Sequence, residues 1–530
     1  MRKSNLGRLQ KEEFDVLILG GGINGAVSAA SLAARGVKVA LIERDDFASH
    51  TSSNASNLAW GGIKYLESFE FLLVNHLCQS RNHLMESYPS TVKEIRFLTT
   101  IQKGFRFHPF LVYLGTLLYW MIGRFRTRPP KYLSAARIER LEPVVDTSEA
   151  VGGFEYSDCY LHDNDARFVF NFIRTSLNYG CVAANYVKSN AAHFNGVNWI
   201  TEAEDTMTGN PFRIRSRALI NACGPWVDLH NQHSGQKTEH CHLFSKGIHL
   251  IFDRIGDSRK VLTFFARDGR MFFVIPMGPK TCVGTTDTQV DLPEVEVTEQ
   301  DRNYVLENIN ACLDLPRPLN KEDIIAERCG VRPLAIKGRG GVADWVKLSR
   351  KHAIEVNTND RHVSIFGGKL TDCLNVGDEI AEIVGDMGIP VKHPGRRWYG
   401  EPVEDVRQEF LHQAELMQLD RMTSDTSSEP LSRRFWRRYG INAMELLERI
   451  REDPDSAELL IENSEYLRCE IELTARREMV TRLEDFLRRR SKIEQVVRRK
   501  DIIEAPGLAD ACAIFFGNQA EVKLQEYIDA

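Results

Sequence analysis

The stretch FDVLILGGGINGAVSAASLAARGVKVALIE, residues 14–43, decides the fold. Residues 14–19 form a short apolar run that is typical of a buried β-strand. The small residues of AVSAASLAA, at 26–34, predict a tightly packed helix that ends at Gly36. A second apolar run, at 38–42, predicts the next strand. The segment is therefore predicted to be a βαβ unit, the first element of an α/β fold.

The glycines of this unit lie between its first strand and its helix. Gly20, Gly22 and Gly25 form the pattern G-x-G-x-x-G, and Glu43 ends the second strand. The first glycine allows a tight turn, the second lets the backbone approach a pyrophosphate, and the third lets helix and strand pack closely. Glu43 is placed to accept hydrogen bonds from ribose hydroxyls and would repel a 2′-phosphate. The unit therefore predicts a dinucleotide site and disfavours NADP.

Length and composition exclude several classes of protein. The chain has 530 residues, a formal net charge of −5 and 11 cysteines without a C-x-x-C pair. This length predicts two or three domains, and the charge makes nucleic acid an unfavourable partner. The segment 1–13 is charged and lacks the apolar core of a secretion signal, which favours a cytoplasmic protein.

The remaining chain divides into three predicted parts. After an extension at 1–13, a nucleotide-binding and substrate-binding region is expected at 14–400 and a helical domain at 401–530, where charged residues and apolar residues at helical spacing dominate. Within the region 14–400, the nucleotide-binding pieces are predicted at about 14–70, 150–225 and 355–390. Strand-like runs at 248–252, 272–276 and 282–286 predict an inserted mixed β-sheet that forms a substrate domain.

The loop SHTSSNASNLAWGGIKYLE, at 49–67, follows the βαβ unit and is rich in hydroxyl groups and small residues. Such a loop can approach a flavin diphosphate closely, with Thr51, Ser52 and Ser53 as hydrogen-bond donors. It favours FAD as the dinucleotide.

At this loop the sequence becomes similar to a known family, the FAD-dependent glycerol-3-phosphate dehydrogenases of the aerobic, membrane-associated type. The resemblance covers nearly the whole chain and rests on motifs in the same order: GGGINGA, TSS…GG-x-KYLE, GFEYSDC at 153–159, NACGPWV at 221–227, KGIHL at 246–250, VGTTD at 283–287, GVRPL at 330–334 and FGGKLT at 366–371.

The resemblance implies a set of site residues. Expected FAD contacts are Gly20, Gly22, Ile23, Asn24, Gly25, Glu43, Thr51, Ser52, Ser53, Leu58, Gly61, Gly62, Val187, Gly224, Gly368 and Leu370. Expected substrate contacts are Lys64, Tyr65, Thr285, Arg332, Arg350 and Lys369, with Arg332 and Lys369 as the catalytic pair. A cluster of cations suits a phosphorylated three-carbon alcohol, because charge-assisted hydrogen bonds to phosphate are strong.

The chain also departs from the family at the expected active site. Asn57, Trp60 and Lys64 replace a lysine, a histidine and an arginine of the loop, and Cys373 and Leu374 replace an aromatic and basic pair after FGGKLT. Trp60 cannot act as a base, so the proton of the substrate hydroxyl must go to another group or to water. These departures leave open whether the substrate is glycerol 3-phosphate or a related phosphorylated alcohol.

The implied reaction oxidises the alcohol to a ketone, dihydroxyacetone phosphate for glycerol 3-phosphate, by hydride transfer to FAD, and passes the electrons to quinone. Lys369 is expected to stabilise negative charge that develops during this step. Two alternatives remain: an oxidase that uses oxygen on a different substrate, and a catalytically impaired flavin-binding paralogue. The sequence leaves the oligomeric state open, including a homodimer.

The segment FRFHPFLVYLGTLLYWMIGRF, at 105–125, is apolar and aromatic with basic flanks. The apolar run within it, which Arg106 and Arg124 delimit, is too short to span a bilayer, which needs about 20 apolar residues. With Tyr113, Tyr119 and Trp120 it predicts an interfacial helix, and hence a protein that is peripheral on the inner face of the cell membrane. The alternative is a buried helix of the substrate domain.

Two further patterns are assigned no special function. His240, Cys241 and His242 lack an additional convergent ligand, so no metal is expected. The arginine-rich runs at 433–440 and 487–492 are balanced by nearby acids and are interpreted as charged, solvated helical faces.

Overall fold

The computed structural model describes residues 1–266, 269–338, 352–425 and 427–530. The strands, numbered in chain order, are β1 Glu13–Leu19, β2 Val39–Ile42, β3 Leu58–Ala59, β4 Val92–Gln102, β5 Lys131–Leu133, β6 Ala150–Leu161, β7 Val182–Ala184, β8 Val187–Phe194, β9 Trp199–Asp205, β10 Asn210–Asn221, β11 His240–Asp253, β12 Val261–Phe265, β13 Met271–Met277, β14 Lys280–Gly284, β15 Thr288–Val290, β16 Ala326–Lys337, β17 Ala353–Asn357 and β18 His362–Phe366.

The helices are numbered in the same way. They are α1 Arg2–Lys11, α2 Ile23–Ala34, α3 Phe71–Ser87, α4 Pro109–Ile122, α5 Ala135–Leu141, α6 Asp165–Asn178, α7 Val227–His233, α8 Glu299–Cys312, α9 Cys373–Asp386, α10 Glu404–Leu416, α11 Leu431–Tyr439, α12 Ala443–Glu452, α13 Arg468–Arg477, α14 Ile493–Val496, α15 Arg499–Glu504, α16 Gly507–Phe516 and α17 Ala520–Asp529. A π-helical turn at Asp485–Arg490 precedes α14.

The first sheet is built around the predicted βαβ unit. Its main path runs β17-β18-β10-β1-β2-β7, and the central strands β18, β10, β1, β2 and β7 pair in parallel. Strands far apart in the chain thus meet at β1, because β10 and β18 lie on one side of it and β2 on the other. Small side chains bury α2 almost completely, and α6 and α9 contribute to the same hydrophobic core. The predicted α/β nucleotide-binding fold is confirmed.

The second sheet holds the predicted runs 248–252, 272–276 and 282–286 in β11, β13 and β14. Its order is β15-β11-β14-β13-β12-β4-β6-β3, with β16 paired to β11 and β5 to β6. The strand β6 belongs to this sheet, although the sequence analysis placed residues 150–225 in the nucleotide-binding part. Its long antiparallel pairing with β4 explains the difference.

The described residues after 400 form helices, and arginines tie these helices to the nucleotide-binding part. Arg438 of α11 pairs with Asp163, and Arg490 of the π-helical turn pairs with Asp46. All four side chains are almost completely buried. The interpretation of these arginine-rich runs as solvated faces is therefore wrong for most of their arginines, although Arg433 is exposed.

Helix α4 is the centre of the apolar segment at 105–125. Phe110, Leu111 and Leu114 are 54%, 56% and 44% exposed, whereas Tyr119 is buried. The interpretation of Tyr119 as an interfacial aromatic is therefore wrong, since its hydroxyl donates to Asp158 at 2.7 Å inside the protein. Among the described residues, no helix combines the length and apolarity needed to cross a bilayer.

Candidate functional site

The glycine-rich turn leaves no space for side chains. A Cβ on Gly25 would lie 1.9 Å from the carbonyl oxygen of Gly20, and a Cβ on Gly20 would lie 2.5 Å from that of Ala222. Gly20 also has φ +100°, where glycine is favoured. Gly22 is the N-cap of α2, so the first amide groups of that helix face the turn. Amides and helix dipole together form an anion site, which fits the pyrophosphate of a dinucleotide.

Glu43 lies at the end of β2, next to this turn. Its carboxylate accepts the backbone N–H of Gly21 at 2.7 Å and that of Asp45 at 3.0 Å. Burial raises the pKa of Glu43. Val187 is buried beside it and donates its N–H to the Glu43 carbonyl at 2.7 Å. A carboxylate has about four lone-pair sites, so Glu43 retains acceptors for ribose hydroxyls.

The hydroxyl groups of the loop at 49–67 mainly fix the loop itself. Thr51 donates to the Val331 carbonyl at 2.7 Å, and Ser53 donates to the His50 carbonyl at 3.1 Å. Ser52 accepts the N–H of Ile23 at 3.0 Å and so caps α2. The sequence prediction treated all three as donors to the diphosphate. In the structure, the donors of Thr51 and Ser53 are used within the protein.

Distant segments of the chain converge on the start of α2. Asn24 donates to the carbonyl of Gly367 at 3.1 Å, which ties α2 to the loop after β18. In that loop Gly368 has φ +108°, and a Cβ on it would lie 3.4 Å from the Asn24 amide oxygen. Gly224 follows β10 with φ +55°. The glycine-rich segments named in the sequence analysis therefore surround one crevice at the ends of parallel strands, where α/β sheets bind their ligands.

From this crevice a single large cavity extends to the second sheet. It has a volume of about 1250 Å³. It brings together residues that the sequence analysis named for both cofactor and substrate: Ile23, Thr51, Ser52, Leu58, Lys64, Tyr65, Thr285, Arg332, Gly368, Lys369 and Leu370. Arg350 lies outside the described residues.

Arg332 of β16 lies over a strand position without a side chain. A Cβ on Gly247, in the neighbouring strand β11, would lie 2.2 Å from an Arg332 guanidinium nitrogen. Arg332 donates to the Thr285 hydroxyl at 2.8 Å, and Asp287 lies 3.3 Å from its other nitrogen. Gly247 therefore gives the Arg332 guanidinium space, and Thr285 fixes its orientation at the cavity wall. The three residues belong to the motifs KGIHL, VGTTD and GVRPL.

Lys369 also lines the cavity and lies in the loop after β18. Its ammonium nitrogen is 4.3 Å from the centre of the Tyr65 ring, within the range of a cation–π interaction. Tyr65 is buried, and Lys64 beside it also lines the cavity. The structure therefore places Lys64, Tyr65, Arg332 and Lys369 on one cavity.

His249 lines the cavity; from its place in KGIHL the sequence suggests either a polar group near the flavin or a core histidine, and favours the core histidine. It is 2% exposed, and neither ring nitrogen has a hydrogen-bond partner among the described residues. Burial, together with the charges of Arg328 and Arg332, holds the pKa of His249 well below its ordinary value. The imidazole is therefore neutral. Its position in KGIHL, two residues after Gly247 on the same strand face, was the available signal.

The residues that depart from the family have two different environments. Asn57 is buried, donates to the Asp163 carbonyl and accepts Arg328 at 2.6 Å. Trp60 lines the cavity, and its indole N–H is 3.4 Å from the Tyr156 hydroxyl. Cys373 and Leu374 are buried in the core under the first sheet. Of the five departing residues, Trp60 and Lys64 line the cavity.

A buried network behind Gly61 was not anticipated from the sequence. Asp158 accepts the N–H of Gly61 at 3.0 Å, the Tyr119 hydroxyl at 2.7 Å and Arg81 at 3.1 Å. A Cβ on Gly61 would lie 2.2 Å from the Tyr119 hydroxyl oxygen. Gly62 follows with φ +80°. The network fixes the backbone of the loop at 49–67 from behind, and links it to α4.

Comparison with known proteins agrees with this arrangement. Residues 15–362 match the family described as FAD dependent oxidoreductase, and residues 397–520 match the C-terminal domain of alpha-glycerophosphate oxidase. The glycerol-3-phosphate dehydrogenase of Mycobacterium leprae is 31% identical over 521 residues, which are 97% of this chain and 87% of that protein. The chain belongs to the FAD-dependent glycerol-3-phosphate dehydrogenase family. Its cofactor is FAD.

Further relatives in this family are similar over most of the chain. The aerobic glycerol-3-phosphate dehydrogenase of Bacillus subtilis is 32% identical over 405 residues, 75% of this chain and 71% of that protein. The FAD-complexed glycerol-3-phosphate dehydrogenase from Bacillus halodurans has the same fold, with a TM-score of 0.74 at 23% identity over 100% of this chain and 96% of that one.

Proposed function

We propose that the protein oxidises the secondary alcohol of glycerol 3-phosphate, or of a related phosphorylated alcohol, to a ketone and passes the electrons to a membrane quinone. Bound FAD supplies the two-electron acceptor for the alcohol. The observation that carries the proposal is the convergence of Lys64, Arg332 and Lys369 with His249 on the cavity that the FAD-binding segments also line.

Arg332 is the group we assign to the substrate phosphate. Its planar guanidinium offers paired donors that match phosphate oxygens, and Thr285 fixes its orientation. Lys64 adds a second positive charge on the same cavity. A dianionic phosphate gains more from two such donors than a neutral alcohol does, which gives the site its preference for phosphorylated substrates.

Lys369 and His249 are the groups we assign to the alcohol itself. The ammonium group of Lys369 stabilises the negative charge that develops on the substrate oxygen as its proton leaves. A neutral imidazole has one ring nitrogen that accepts a hydrogen bond, so His249 orients the substrate hydroxyl, and its lowered pKa leaves the released proton to water. Trp60 has no such acceptor, and His249 thus supplies the group that the loop lacks.

We further propose that the protein binds a membrane surface through the apolar face formed by Phe69, Leu72, Phe107, Phe110, Leu111 and Leu114. Leu72 is 87% exposed and Phe69 is 77% exposed. Large exposed apolar patches mark contacts with proteins or membranes. Phe69, Phe107, Leu111 and Leu114 also line the cavity, so a quinone in the bilayer would meet the cavity at this face.

The reaction is tested by mixing the FAD-containing protein with glycerol 3-phosphate in the absence of oxygen. We expect the flavin absorbance near 450 nm, as is usual for oxidised flavins, to bleach with formation of dihydroxyacetone phosphate, and glycerol to be far less effective. A soluble quinone should then restore the colour faster than oxygen does. Protein that stays yellow with every phosphorylated alcohol tried would refute the proposal.

Membrane binding is tested by cosedimentation with anionic vesicles. The variant Leu72→Asp/Phe110→Asp should remain in the supernatant, because it places charges on the apolar face. Val197→Asp is the matched control, since Val197 is 66% exposed and lies in the β8–β9 hairpin. Equal sedimentation of all three proteins would contradict the membrane assignment.

A further inference from the structure

The cavity is larger than the proposed reaction requires. The cavity has a volume of about 1250 Å³, and Ile23, Ser52 and Gly368 at one end belong to the cofactor crevice. The flavin with its ribityl phosphate accounts for that end, and a three-carbon phosphate accounts for the cations. Reduction of the flavin by glycerol 3-phosphate gives no role to the part of the cavity that α4 lines.

One wall of this cavity is a row of neighbours across the second sheet. His249 pairs with Gly284, Gly284 with Phe273, Phe273 with Thr263, and Thr263 with Thr99. Directly opposite residues share a sheet face, and His249, Phe273, Thr263 and Thr99 all line the cavity. Beyond His249 the row therefore presents the ring of Phe273 and the methyl and hydroxyl groups of two threonines, and none of these residues is charged.

The facing wall is helix α4, which contributes Leu111, Val112, Gly115 and Leu118. Gly115 leaves a gap in this wall, since no described atom lies within 4 Å of the Cβ that another residue would have there. The apolar space between α4 and the sheet, which we call the apolar branch, reaches the exposed side chains of Phe107 and Leu114 at the protein surface.

The two ends of the cavity thus differ in chemistry. Lys64, Arg332 and Lys369 favour an anion, while the apolar branch favours hydrocarbon; Arg270 and the Arg106–Glu67 ion pair also line the cavity. Glycerol 3-phosphate would use the cationic end and leave the branch without contacts while the flavin is reduced, because the quinone is needed only for the second half of the reaction. A substrate with a phosphate and an apolar chain uses both ends at once.

We propose that the preferred substrate of this enzyme is a glycerol 3-phosphate that carries an alkyl or acyl chain on its first carbon, with the chain in the apolar branch. This inference rests on the proposed function and deepens it. The reaction is unchanged: the second carbon loses a hydride to FAD, its hydroxyl loses a proton, and the product is the chain-bearing ketone phosphate. No additional oxidant is needed.

The test measures reduction of the flavin without oxygen or any other acceptor, in a stopped-flow instrument. Glycerol 3-phosphate is compared with 1-O-hexylglycerol 3-phosphate, whose ether bond resists hydrolysis. Each buried CH₂ contributes about 0.8 kcal/mol, so burial of about half of the hexyl chain should favour the hexyl ether by roughly a hundredfold in the rate constant divided by the apparent dissociation constant. Equal or better reduction by glycerol 3-phosphate overturns the inference and leaves the proposed function intact; no reduction by either refutes both.

The variant Gly115→Trp places an indole in the gap of α4. It should abolish the preference for the hexyl ether while reduction by glycerol 3-phosphate changes by less than about threefold. Met121→Trp is the matched control, because Met121 lies on the same helix, is 51% exposed and does not line the cavity. It should retain the preference. A preference that survives Gly115→Trp would overturn the placement of the chain.

Two further measurements separate the chain-binding assignment from its alternatives. Hexyl phosphate, which cannot be oxidised, should bind the FAD-containing protein more tightly than inorganic phosphate by calorimetry, and Gly115→Trp should remove that difference. If Gly115→Trp instead slows only reoxidation by a soluble quinone, the branch belongs to the electron acceptor and the inference is wrong. If Gly115→Trp fails to fold, two measurements on the wild-type enzyme test the inference by themselves. They are its preference for the hexyl ether over glycerol 3-phosphate and its tighter binding of hexyl phosphate than of inorganic phosphate.

Discussion

Two regions of the molecule collect arginine and lysine side chains, and they use them differently. At the junction with the C-terminal helices, Arg438 has a fully buried side chain that donates to Asp163 at 2.7 Å and lies 3.2 Å from Glu465. At the cavity, the Arg332 side chain is 24% exposed, is oriented by Thr285 and lies 3.3 Å from the carboxylate of Asp287. The junction arginines are neutralised within the protein, whereas the cavity cations face a space that a ligand enters.

This difference teaches that the surroundings of a cation, and not its presence, decide its function. A buried arginine costs free energy unless carboxylates surround it, so the junction contains carboxylates such as Asp46, Asp163 and Glu478, all nearly inaccessible. A cation on a cavity wall keeps part of its hydration, which a phosphate replaces on binding. Removing a junction arginine should therefore affect folding, and removing a cavity cation should affect catalysis.

The largest effect is expected at the junction. Arg438→Ala leaves Asp163 and Glu465 with a missing partner in a buried site and should lower the free energy of unfolding by about 3–5 kcal/mol. Arg433→Ala, an exposed position on the same helix, should change it by less than about 0.5 kcal/mol. Urea unfolding followed by circular dichroism measures both. Similar losses of unfolding free energy in the two variants would show that the buried ion pairs of Arg438 do not stabilise the fold.

At the cavity, the losses should appear in kinetics. Arg332→Ala should raise KM for glycerol 3-phosphate, and Lys369→Ala should lower kcat. Each variant should lose about 1.5–3 kcal/mol of transition-state stabilisation, which lowers kcat/KM by about one to two orders of magnitude. Glycerol, which has no phosphate, should be nearly indifferent to Arg332→Ala but sensitive to Lys369→Ala. Flavin content and unfolding curves should stay unchanged. Wild-type kinetics in both variants would mean that the assigned substrate contacts are wrong.

His352 is an intermediate case, a buried cation whose charge depends on pH. Its ring nitrogens lie 2.9 Å from Asp372 and 3.0 Å from Glu379, and these carboxylates raise the pKa of His352 to about 9 despite its burial. Because the pKa of His352 is higher in the folded protein than in the unfolded chain, its protonation stabilises the folded state. This stabilisation is complete below pH 6.5, about the pKa in the unfolded chain, and is lost as the pH rises through 9.

The free energy of unfolding should therefore fall by about 1–3 kcal/mol between pH 6.5 and 9, in addition to any change at other groups. His352→Gln should flatten that part of the profile. Thermal unfolding at several pH values measures it, with His393→Gln as a control outside this cluster. A variant with the same slope as wild type would show that the ion pairs of His352 do not contribute.

The smallest effect is expected at the network behind Gly61. Tyr119→Phe removes one hydrogen bond to Asp158 and keeps the ring, so it should cost about 1 kcal/mol of stability. Because Asp158 also accepts the Gly61 N–H, the absorption spectrum of bound flavin should shift as the loop relaxes. Tyr113→Phe, in the same helix, is the control. An unchanged spectrum would limit Tyr119 to packing.

The local parts of the site could be predicted because short-range sterics determine them. The turn at Gly20 and Gly25 has no room for a Cβ, so the glycine pattern directly indicates the anion site at the start of α2. The same holds for Gly247 under Arg332, which explains why KGIHL and GVRPL are recognisable motifs. Such constraints are close contacts at a single glycine, with Ala222 at Gly20 and with Arg332 at Gly247, and they leave a trace in the sequence.

The sequence by itself determined the α/β nucleotide-binding fold, the family and FAD, since each depends on motifs with local steric meaning. Only the tertiary structure decided which cations face a ligand, because Arg438 and Arg332 look alike until their partners are known. It also buried Tyr119, gave His249 a neutral ring on the cavity wall, and opened the space beneath Gly115. These properties depend on which distant segments pack together, and burial and electrostatic fields are sums over all of those neighbours.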